Sequence, residues 1–359
     1  MSPSSQEVSK YMRLRITNCK KIAYTIPAIG TKRAPVTPKS GSHICKSICL
    51  SKLLYGAELM DIPNSVIKEI DSFQASVAKS LQGLPDQTSN TGAVRTLGWM
   101  NIQSIIDMNK LVFLWRIIIL PMSCIYKKLL IYRYAYLMYD VCDKREGPLW
   151  NSLETAKKYG VLDIVQEAIE TGSHITLSLW KKQIKELILD KEERRWTIES
   201  NLFTSLQRLS TCMPKLSINS WWVFVQNNPS YNIKCRSIMK LLLGVHKLNV
   251  CQSKYCKNMV VSPVCALCDL SVPESVDHML FECPGLNDTR VRLWAKVVEE
   301  SPSIIFINQV SEMPVLQRTS FILGALNDSY VTEWDCLFCE ISNYINELYN
   351  TRNRMFNAL

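Results

Sequence analysis

The chain has 359 residues, of which 47% are hydrophobic and 21% are charged, and its 42 Lys and Arg outnumber its 32 Asp and Glu. This composition excludes an intrinsically disordered chain, which would be depleted in apolar residues, and the length predicts two or three structural units. Glycine is scarce, and apolar residues recur at three- and four-residue steps rather than in alternation. The sequence therefore predicts a mainly α fold.

The excess positive charge is concentrated near the N-terminus. Residues 1–60 contain ten Lys and Arg but only Glu7 and Glu58 as acidic residues, so most of the net charge of +10 lies there. Because neutralisation of phosphates supplies much of the affinity for nucleic acids, this asymmetry indicates an anionic partner such as RNA or DNA. A solvated basic surface without a partner would have the same composition.

In chain order, a basic helix around Lys10–Thr25 is followed by a Pro- and Gly-containing tract up to Gly41, which predicts a loop. Four helices are then expected before residue 121, over 43–60, 67–81, 92–97 and 102–120. The apolar stretch Leu111–Tyr139 is long enough to resemble a membrane span, but Pro121 divides it and four Lys or Arg interrupt it. Charges at a bilayer centre are costly, so we expect two buried or partner-facing helices and no membrane partner.

Residues 141–230 predict a helical connector, with helices over 149–159, 161–171 and 176–202. Its Trp180 and Trp196, next to several Lys and Arg, could stack on bases, although tryptophans in a core with basic residues outside are commoner. Further helices are expected over 235–243, 286–299, 315–326 and 331–356.

Four residues of the C-terminal half have the spacing of a metal site. Cys265, Cys268, His278 and Cys283 form the pattern Cys-x2-Cys-x9-His-x4-Cys. A Cys-x2-Cys pair presents two thiolates to one ion, and four such ligands complete the tetrahedron that zinc prefers, so the pattern predicts one structural Zn2+ without an open catalytic position. The opening residues lack a signal peptide, and in a reducing intracellular setting, nucleus or cytoplasm, clustered cysteines favour metal binding over disulfides. The alternative is unrelated buried cysteines and a core histidine.

Other cysteines and histidines have weaker spacing. Cys336 and Cys339 form a second Cys-x2-Cys pair, but the surrounding sequence is typical of the middle of a helix and predicts burial in the core. His246, Cys251 and Cys256 lie just upstream of the four-residue pattern and could form or complete a site, which the sequence leaves open.

Several phrases, in order, resemble the C-terminal part of the reverse transcriptase of non-LTR (LINE-type) retrotransposons. They are the segment ITNCKKIAYTIPAIG, the phrase LYGAE at residues 54–58, the helix ending in Gly-Leu-Pro at 83–85, the Leu-Gly-Trp at 97–99, and the stretch from KCRSIMKLLLGVHKLN to the Cys/His pattern and Arg-x-x-Leu-Trp. The resemblance covers residues 12–121 and 231–296. It implies the end of a palm-like region with a basic linker (1–42), a thumb-like helical domain (43–140), a connector (141–230), a zinc-binding region of the zinc-knuckle (CCHC) type (231–300) and C-terminal helices (301–359).

The chain departs from this family in its catalytic residues. Polymerases of the family hold two metal ions with palm carboxylates, one pair in an Asp-Asp turn, and no Asp-Asp occurs in this sequence. The sole Pro-Asp, Pro85–Asp86, lies far from where some relatives place a nuclease motif after the zinc region. No complete palm, no polymerase or nuclease activity and no small-molecule substrate are therefore expected of this chain.

The resemblance implies a nucleic-acid-binding fragment that could act with a separate palm-bearing polypeptide. Nine cations are carried over as candidate phosphate contacts: Lys46, Lys52, Lys68, Lys79, Arg236, Lys240, Lys247, Arg290 and Arg292. Two alternatives stay open, a zinc-stapled helical adaptor for another protein and a transposon remnant without function. RNA or DNA preference and oligomeric state are not determined by the sequence.

Overall fold

In a computed structural model, the residues described are 4–28, 36–138, 146–255, 262–300, 304–325 and 335–358. Over these ranges the chain is helical and contains no β-strand, with two isolated antiparallel bridges, Leu97 to Ile218 and Val264 to Pro273. The predicted mainly α fold class is confirmed. In the same ranges no helix is both long enough and apolar enough to cross a bilayer.

Eighteen α-helices are described. In chain order they are α1 Ser5–Ala23, α2 Pro38–Ile44, α3 Ser51–Leu54, α4 Asn64–Gln82, α5 Asn90–Thr96, α6 Ile102–Ile118, α7 Ile125–Met138, α8 Pro148–Lys158, α9 Leu162–Thr171, α10 Leu177–Leu202, α11 Thr204–Cys212, α12 Ser220–Asn227, α13 Asn232–Leu242, α14 Asn249–Tyr255, α15 Asn287–Glu299, α16 Ile304–Glu312, α17 Val315–Ser320 and α18 Asp335–Asn357. Turns of π-helix follow α2 (Cys45–Leu50) and α17 (Phe321–Ala325), and another covers His278–Glu282.

Several helix ends follow from local sequence chemistry. Ser4 begins α1 with a capping box, in which its hydroxyl accepts from the Glu7 N–H at 3.3 Å and the Glu7 carboxylate accepts from the Ser4 N–H at 2.8 Å. After α4, Gly83 adopts a left-handed conformation with φ of 64°, which ends the helix at the predicted place. Of the tract predicted as a loop, residues 29–35 lie outside the described residues. Its end differs from the prediction, because Pro38 begins α2 at the first helical position, where its missing N–H costs no hydrogen bond.

The chain divides into two compact units. The first contains Met1–Tyr24, Ile44–Gln74 and Met100–Arg195, and the second contains Thr25–His43, Ala75–Trp99 and Trp196–Leu359. Each unit therefore gathers separate stretches of chain, and the predicted region 43–140 contributes to both. The predicted regions 231–300 and 301–359 belong to the same unit. The five region boundaries stay a prediction from the resemblance.

The core of the first unit is built around two tryptophans of α6 and α10. The rings of Trp115 and Trp180 stack with centroids 4.0 Å apart, and both side chains are fully buried. Each indole N–H donates to a backbone carbonyl, of Ile175 at 3.2 Å and of Leu111 at 3.1 Å, so neither polar atom is left unpaired. The prediction that Trp180 lies in the core rather than at the surface is confirmed, and Trp196, which belongs to the second unit, is buried as well.

The core of the second unit joins α12 to α18. Phe338 packs edge-on against Trp221 at 5.0 Å and face-on against Phe224 at 5.4 Å. In the same unit the fully buried Gln82 accepts hydrogen bonds from the Trp222 indole at 2.8 Å and the Thr96 hydroxyl at 2.7 Å. This satisfied polar group fixes the relative placement of α4, α5 and α12 at the point where α4 ends.

Candidate metal centre

The two N-terminal cysteines of the predicted site lie in a hairpin-like loop. The Cys265 N–H donates to the Val272 carbonyl at 2.9 Å, and the Glu274 N–H donates to the Pro263 carbonyl at 2.8 Å. Ser271 takes the left-handed conformation, with φ of 53°, that turns the chain back. The loop thus folds Cys265 and Cys268 toward one point, as expected for a Cys-x2-Cys pair.

The two C-terminal residues of the site are aligned by a π-helical turn. In an α-helix, residues five apart point about 140° away from each other. Here the Cys283 N–H donates to the His278 carbonyl at 2.7 Å, which closes a wider turn over His278–Glu282. This turn brings His278 and Cys283 to the same side of the helix, a use of π-turns that recurs at functional sites.

The four potential ligand atoms converge. The three sulfurs and one histidine nitrogen all lie within 4.8 Å of one another. Sγ of Cys265 is 3.8 Å from Sγ of Cys283, and Sγ of Cys268 is 3.4 Å from Nε2 of His278. Cys265, His278 and Cys283 are buried and Cys268 is partly exposed. Among the residues described, this is the one group of three or more Cys, His, Asp or Glu that could hold a metal ion.

Burial shifts the pKa values of the clustered side chains toward their neutral forms. Burial raises the pKa of the Cys265 and Cys283 thiols and lowers the pKa of His278. A bound dication would stabilise the thiolates and would therefore lower the pKa of the thiols that burial raises, while the neutral imidazole of His278 is already the form that binds metal. With Nε2 toward the sulfurs, the buried Nδ1 of His278 faces the Glu282 carboxylate at 3.8 Å, the type of outer partner that orients metal-bound histidines.

Arg290 and Tyr344 stabilise the π-helical turn by donating hydrogen bonds to its backbone carbonyls. Nε and Nη2 of Arg290 donate to the carbonyls of Leu280 at 3.0 Å and Cys283 at 2.7 Å, and the Tyr344 hydroxyl donates to the same Leu280 carbonyl at 2.6 Å. These donors satisfy carbonyls that a short turn leaves without helical partners. Arg290, predicted as a phosphate contact, is thus occupied within the protein.

A buried ion pair connects the cysteine loop to α18. Arg352 donates to both carboxylate oxygens of Glu274, from Nε at 2.7 Å and from Nη2 at 2.5 Å, and each side chain is 2% exposed. Asn249 completes the network, because its N–H donates to Glu274 at 2.7 Å and its side-chain amide donates to the Val264 carbonyl at 2.8 Å. Every partner lies in the second unit, so the loop is anchored to the helical core at residues adjoining Cys265.

Gly285 packs against the backbone of the loop that carries Cys265 and Cys268. A Cβ atom at this position would be 2.2 Å from the backbone carbonyl oxygen of Leu267, in the loop between Cys265 and Cys268. We expect Gly285→Ala to push the two halves of the site apart and cost about 1–3 kcal/mol, because the obstacle is backbone. Metal affinity measured by competition with a chromogenic chelator should fall roughly tenfold or more. Unchanged affinity would show that the loop adapts without moving its sulfurs.

The other candidate ligands are not brought into the cluster. His246 is partly exposed, its Nδ1 accepts from the Leu248 N–H at 3.2 Å, and desolvation lowers its pKa to about 4. Cys251 lies near the Gly244 carbonyl, with its sulfur 2.9 Å from the oxygen, while Cys256 falls outside the described residues. Cys336 is exposed at the start of α18 rather than buried in mid-helix, so that expectation was wrong. Its neighbour Cys339 is partly buried.

The predicted phosphate contacts of the first unit are exposed. Lys46, Lys52 and Lys68 all lie at the surface. Lys79, in the second unit, is different: it is buried, and its Nζ donates to the Asp86 carbonyl at 2.7 Å. Burial lowers the pKa of Lys79 as well. We therefore leave Lys79 out of any surface for nucleic acid.

The remaining predicted contacts lie in the second unit. Lys247 is exposed and Lys240 is partly exposed, whereas Arg292 is paired with Glu347 at 2.6 Å on the surface. Arg236 is half-buried against Gly83, and its Nε is a buried donor without a hydrogen-bond partner. An unpaired guanidinium donor is costly to bury, and an anion would satisfy it.

Sequence reasoning missed Glu274, Arg352 and Asn249. An isolated Glu, Arg or Asn has no spacing that would distinguish it, and these three are 103 residues apart at most along the chain. The role of Gly285 could have been suspected, since it directly follows Cys283-Pro284 and glycine is the residue that permits a close approach between backbone segments. No family model, curated protein or solved structure matches this chain.

Proposed function

We propose that this protein is a nucleic-acid-binding module stabilised by one structural zinc ion, related to the C-terminal part of a non-LTR retrotransposon reverse transcriptase and without polymerase activity of its own. The observation that carries the proposal is the convergence of Cys265, Cys268, His278 and Cys283. The nucleic-acid part is supported by the net charge, the exposed lysines and the family resemblance.

The ligand distances support zinc as the metal. With Zn–S bonds of about 2.3 Å and a Zn–N bond of about 2.0 Å, a tetrahedral site separates two sulfurs by about 3.8 Å and a sulfur from a nitrogen by about 3.5 Å. Two of the six distances between ligand atoms have these values, 3.8 Å for Cys265 to Cys283 and 3.4 Å for Cys268 to His278, and all six are within 4.8 Å. Three thiolates and one imidazole fill all four positions, so the ion would be structural.

The proposed surface for nucleic acid consists of those predicted phosphate contacts that are exposed or partly exposed and are not engaged in a surface ion pair or at the metal cluster. Lys46, Lys52 and Lys68 are its members in the first unit, and Lys240, Lys247 and Arg236 are its members in the second. Each unit is a candidate surface by itself. The contacts would be to phosphates, which position a nucleic acid without reading its sequence.

The test combines metal content with binding to labelled single-stranded RNA and duplex DNA over a range of salt concentrations. Wild type should contain one zinc per chain, and Cys268→Ser and His278→Ala should lose it. Replacing Lys46, Lys52 and Lys68 together by Gln should make the negative slope of log K against log salt shallower by up to about 2–3. Each lost phosphate contact means that about one counterion fewer is released when the nucleic acid binds.

The matched control replaces Lys181, Lys182 and Lys185, which are also exposed but lie on α10, and should leave the slope unchanged. An equal drop in both triple variants would mean that affinity reflects net charge rather than this surface. Zinc without salt-dependent binding to either nucleic acid would favour the adaptor for another protein.

A further inference from the structure

Helix α7 is apolar on two faces. Leu130, Tyr134 and Leu137 are buried in the first unit, and the Tyr134 hydroxyl donates to Glu170 at 2.7 Å. On the opposite side Ile125 and Tyr132 are 58% and 72% exposed. A helix that only covered a core would carry polar residues on its solvent-facing side. An exposed apolar face of this kind is typical of a surface that binds a partner, which shields it from water.

The exposed residues of α7 form a continuous stripe. The exposed Ile125, Leu129 and Tyr132 and the partly buried Tyr136 follow one another at four-, three- and four-residue steps, which places them on one line along the helix. This is the spacing of the contact residues in paired helices. Leu129, which is 54% exposed, also borders a groove beside the stripe.

The groove lies between α6, α7 and the beginning of α8 and has a volume of about 580 Å3. Its walls are mostly aliphatic and aromatic, with Leu114 and Leu130 buried and Tyr126 exposed. On α7 the groove is lined by Tyr126 and by the residues three, four and seven positions after it, Leu129, Leu130 and Arg133. Two helical turns, about 10 Å, are thus open to an apolar side chain from outside.

The charged side chains that α7 itself carries are all positive. Between Asp107 and Asp140 there are five Lys or Arg and no Asp or Glu. Lys128 and Arg116 are exposed, and Arg133, which lines the groove, donates to the Glu146 carbonyl at 3.3 Å. Glu146 also lines the groove, at the start of the next helical segment. Residues that contact α7 from outside should therefore be acidic.

We propose that α7 and its groove bind an amphipathic helix of another protein that carries Asp or Glu beside its apolar stripe. A second copy of this chain is disfavoured because two α7 helices would oppose Lys128 and Arg133 with like charges. A membrane cannot fill a concave groove. A base could stack on the ring of Tyr132, but the aliphatic Ile125 and Leu129 on the same line are matched by apolar side chains rather than by bases. This binding does not depend on the zinc or on nucleic-acid affinity.

The probe is a labelled helical peptide of about three heptads with Leu at four- and three-residue steps and Glu beside them. Fluorescence anisotropy should show saturable binding to the full-length chain, weakened roughly tenfold or more by Leu129→Ser or Tyr132→Ser. Leu179→Ser is the matched control, since Leu179 is 56% exposed on α10, and should bind as wild type.

Charge is tested with a second peptide in which every Glu is replaced by Lys. It should bind roughly tenfold more weakly or worse, and Lys128→Glu should narrow the difference between the two peptides. Equal binding of both peptides, or no saturable binding of the acidic one, overturns the proposal. So would Leu129-dependent binding to phosphatidylserine vesicles or Leu129-dependent self-association, which would assign the face to a membrane or to a second copy.

Discussion

Cys283→Ser should remove the metal from the purified protein and lower the free energy of unfolding of the second unit by several kcal/mol. Binding of structural zinc to small peptides is worth roughly 10–16 kcal/mol at neutral pH, as much as the ~5–15 kcal/mol that stabilises a whole domain. A serine hydroxyl is a poor zinc ligand because it does not ionise at this pH. The second unit has a further core at Trp221 and Phe338, so we expect local rather than complete unfolding.

Metal content by mass spectrometry and hydrogen exchange together test this result. Residues 262–299 should lose protection in Cys283→Ser, whereas α12 should keep most of it. The control is Cys336→Ser, an exposed cysteine of the same unit that should retain one metal per chain and wild-type exchange. If Cys283→Ser still binds one metal with unchanged affinity, the four residues are not the ligand set.

Arg352→Met should destabilise the second unit by about 3–5 kcal/mol, because it leaves the Glu274 carboxylate buried without its counter-ion. Both side chains are 2% exposed and joined by two hydrogen bonds, so water cannot replace the lost partner. The loop that carries Cys265 is anchored through Glu274. We therefore expect metal affinity to fall with stability, measured by urea unfolding and chelator competition on the same samples.

The double variant Glu274→Met with Arg352→Met should cost less than Arg352→Met alone, since no buried charge then remains. Its residual cost would come from the Asn249 N–H, which donates to Glu274. An exposed pair of the same unit, Arg292 and Glu347, is the control, and breaking it with Arg292→Met should cost at most about 1 kcal/mol. If the free-energy costs of Glu274→Met and Arg352→Met add up to the cost of the double variant, the two side chains do not act as a buried pair.

Much of the fold was predictable because its determinants are local. The recurrence of apolar residues from Ile67 to Leu81 predicted α4, and Gly83 predicted its end, since a left-handed residue is easiest for glycine. Short helices such as α12 and α14 were missed, because a segment of seven or eight residues shows too few turns for a period to be recognised. Tertiary packing rather than propensity stabilises such helices.

The sequence by itself determined the candidate metal ligands, because their identity and spacing are local: Cys265 and Cys268 belong to one loop, and His278 and Cys283 belong to one turn. It did not determine which cations remain at the surface. In the sequence Arg290 and Lys79 are basic residues like Lys52, but in the folded protein their side chains donate hydrogen bonds to backbone carbonyls. Tertiary structure alone decided this, and also joined Glu274 to Arg352, because burial and pairing depend on which distant segments pack together.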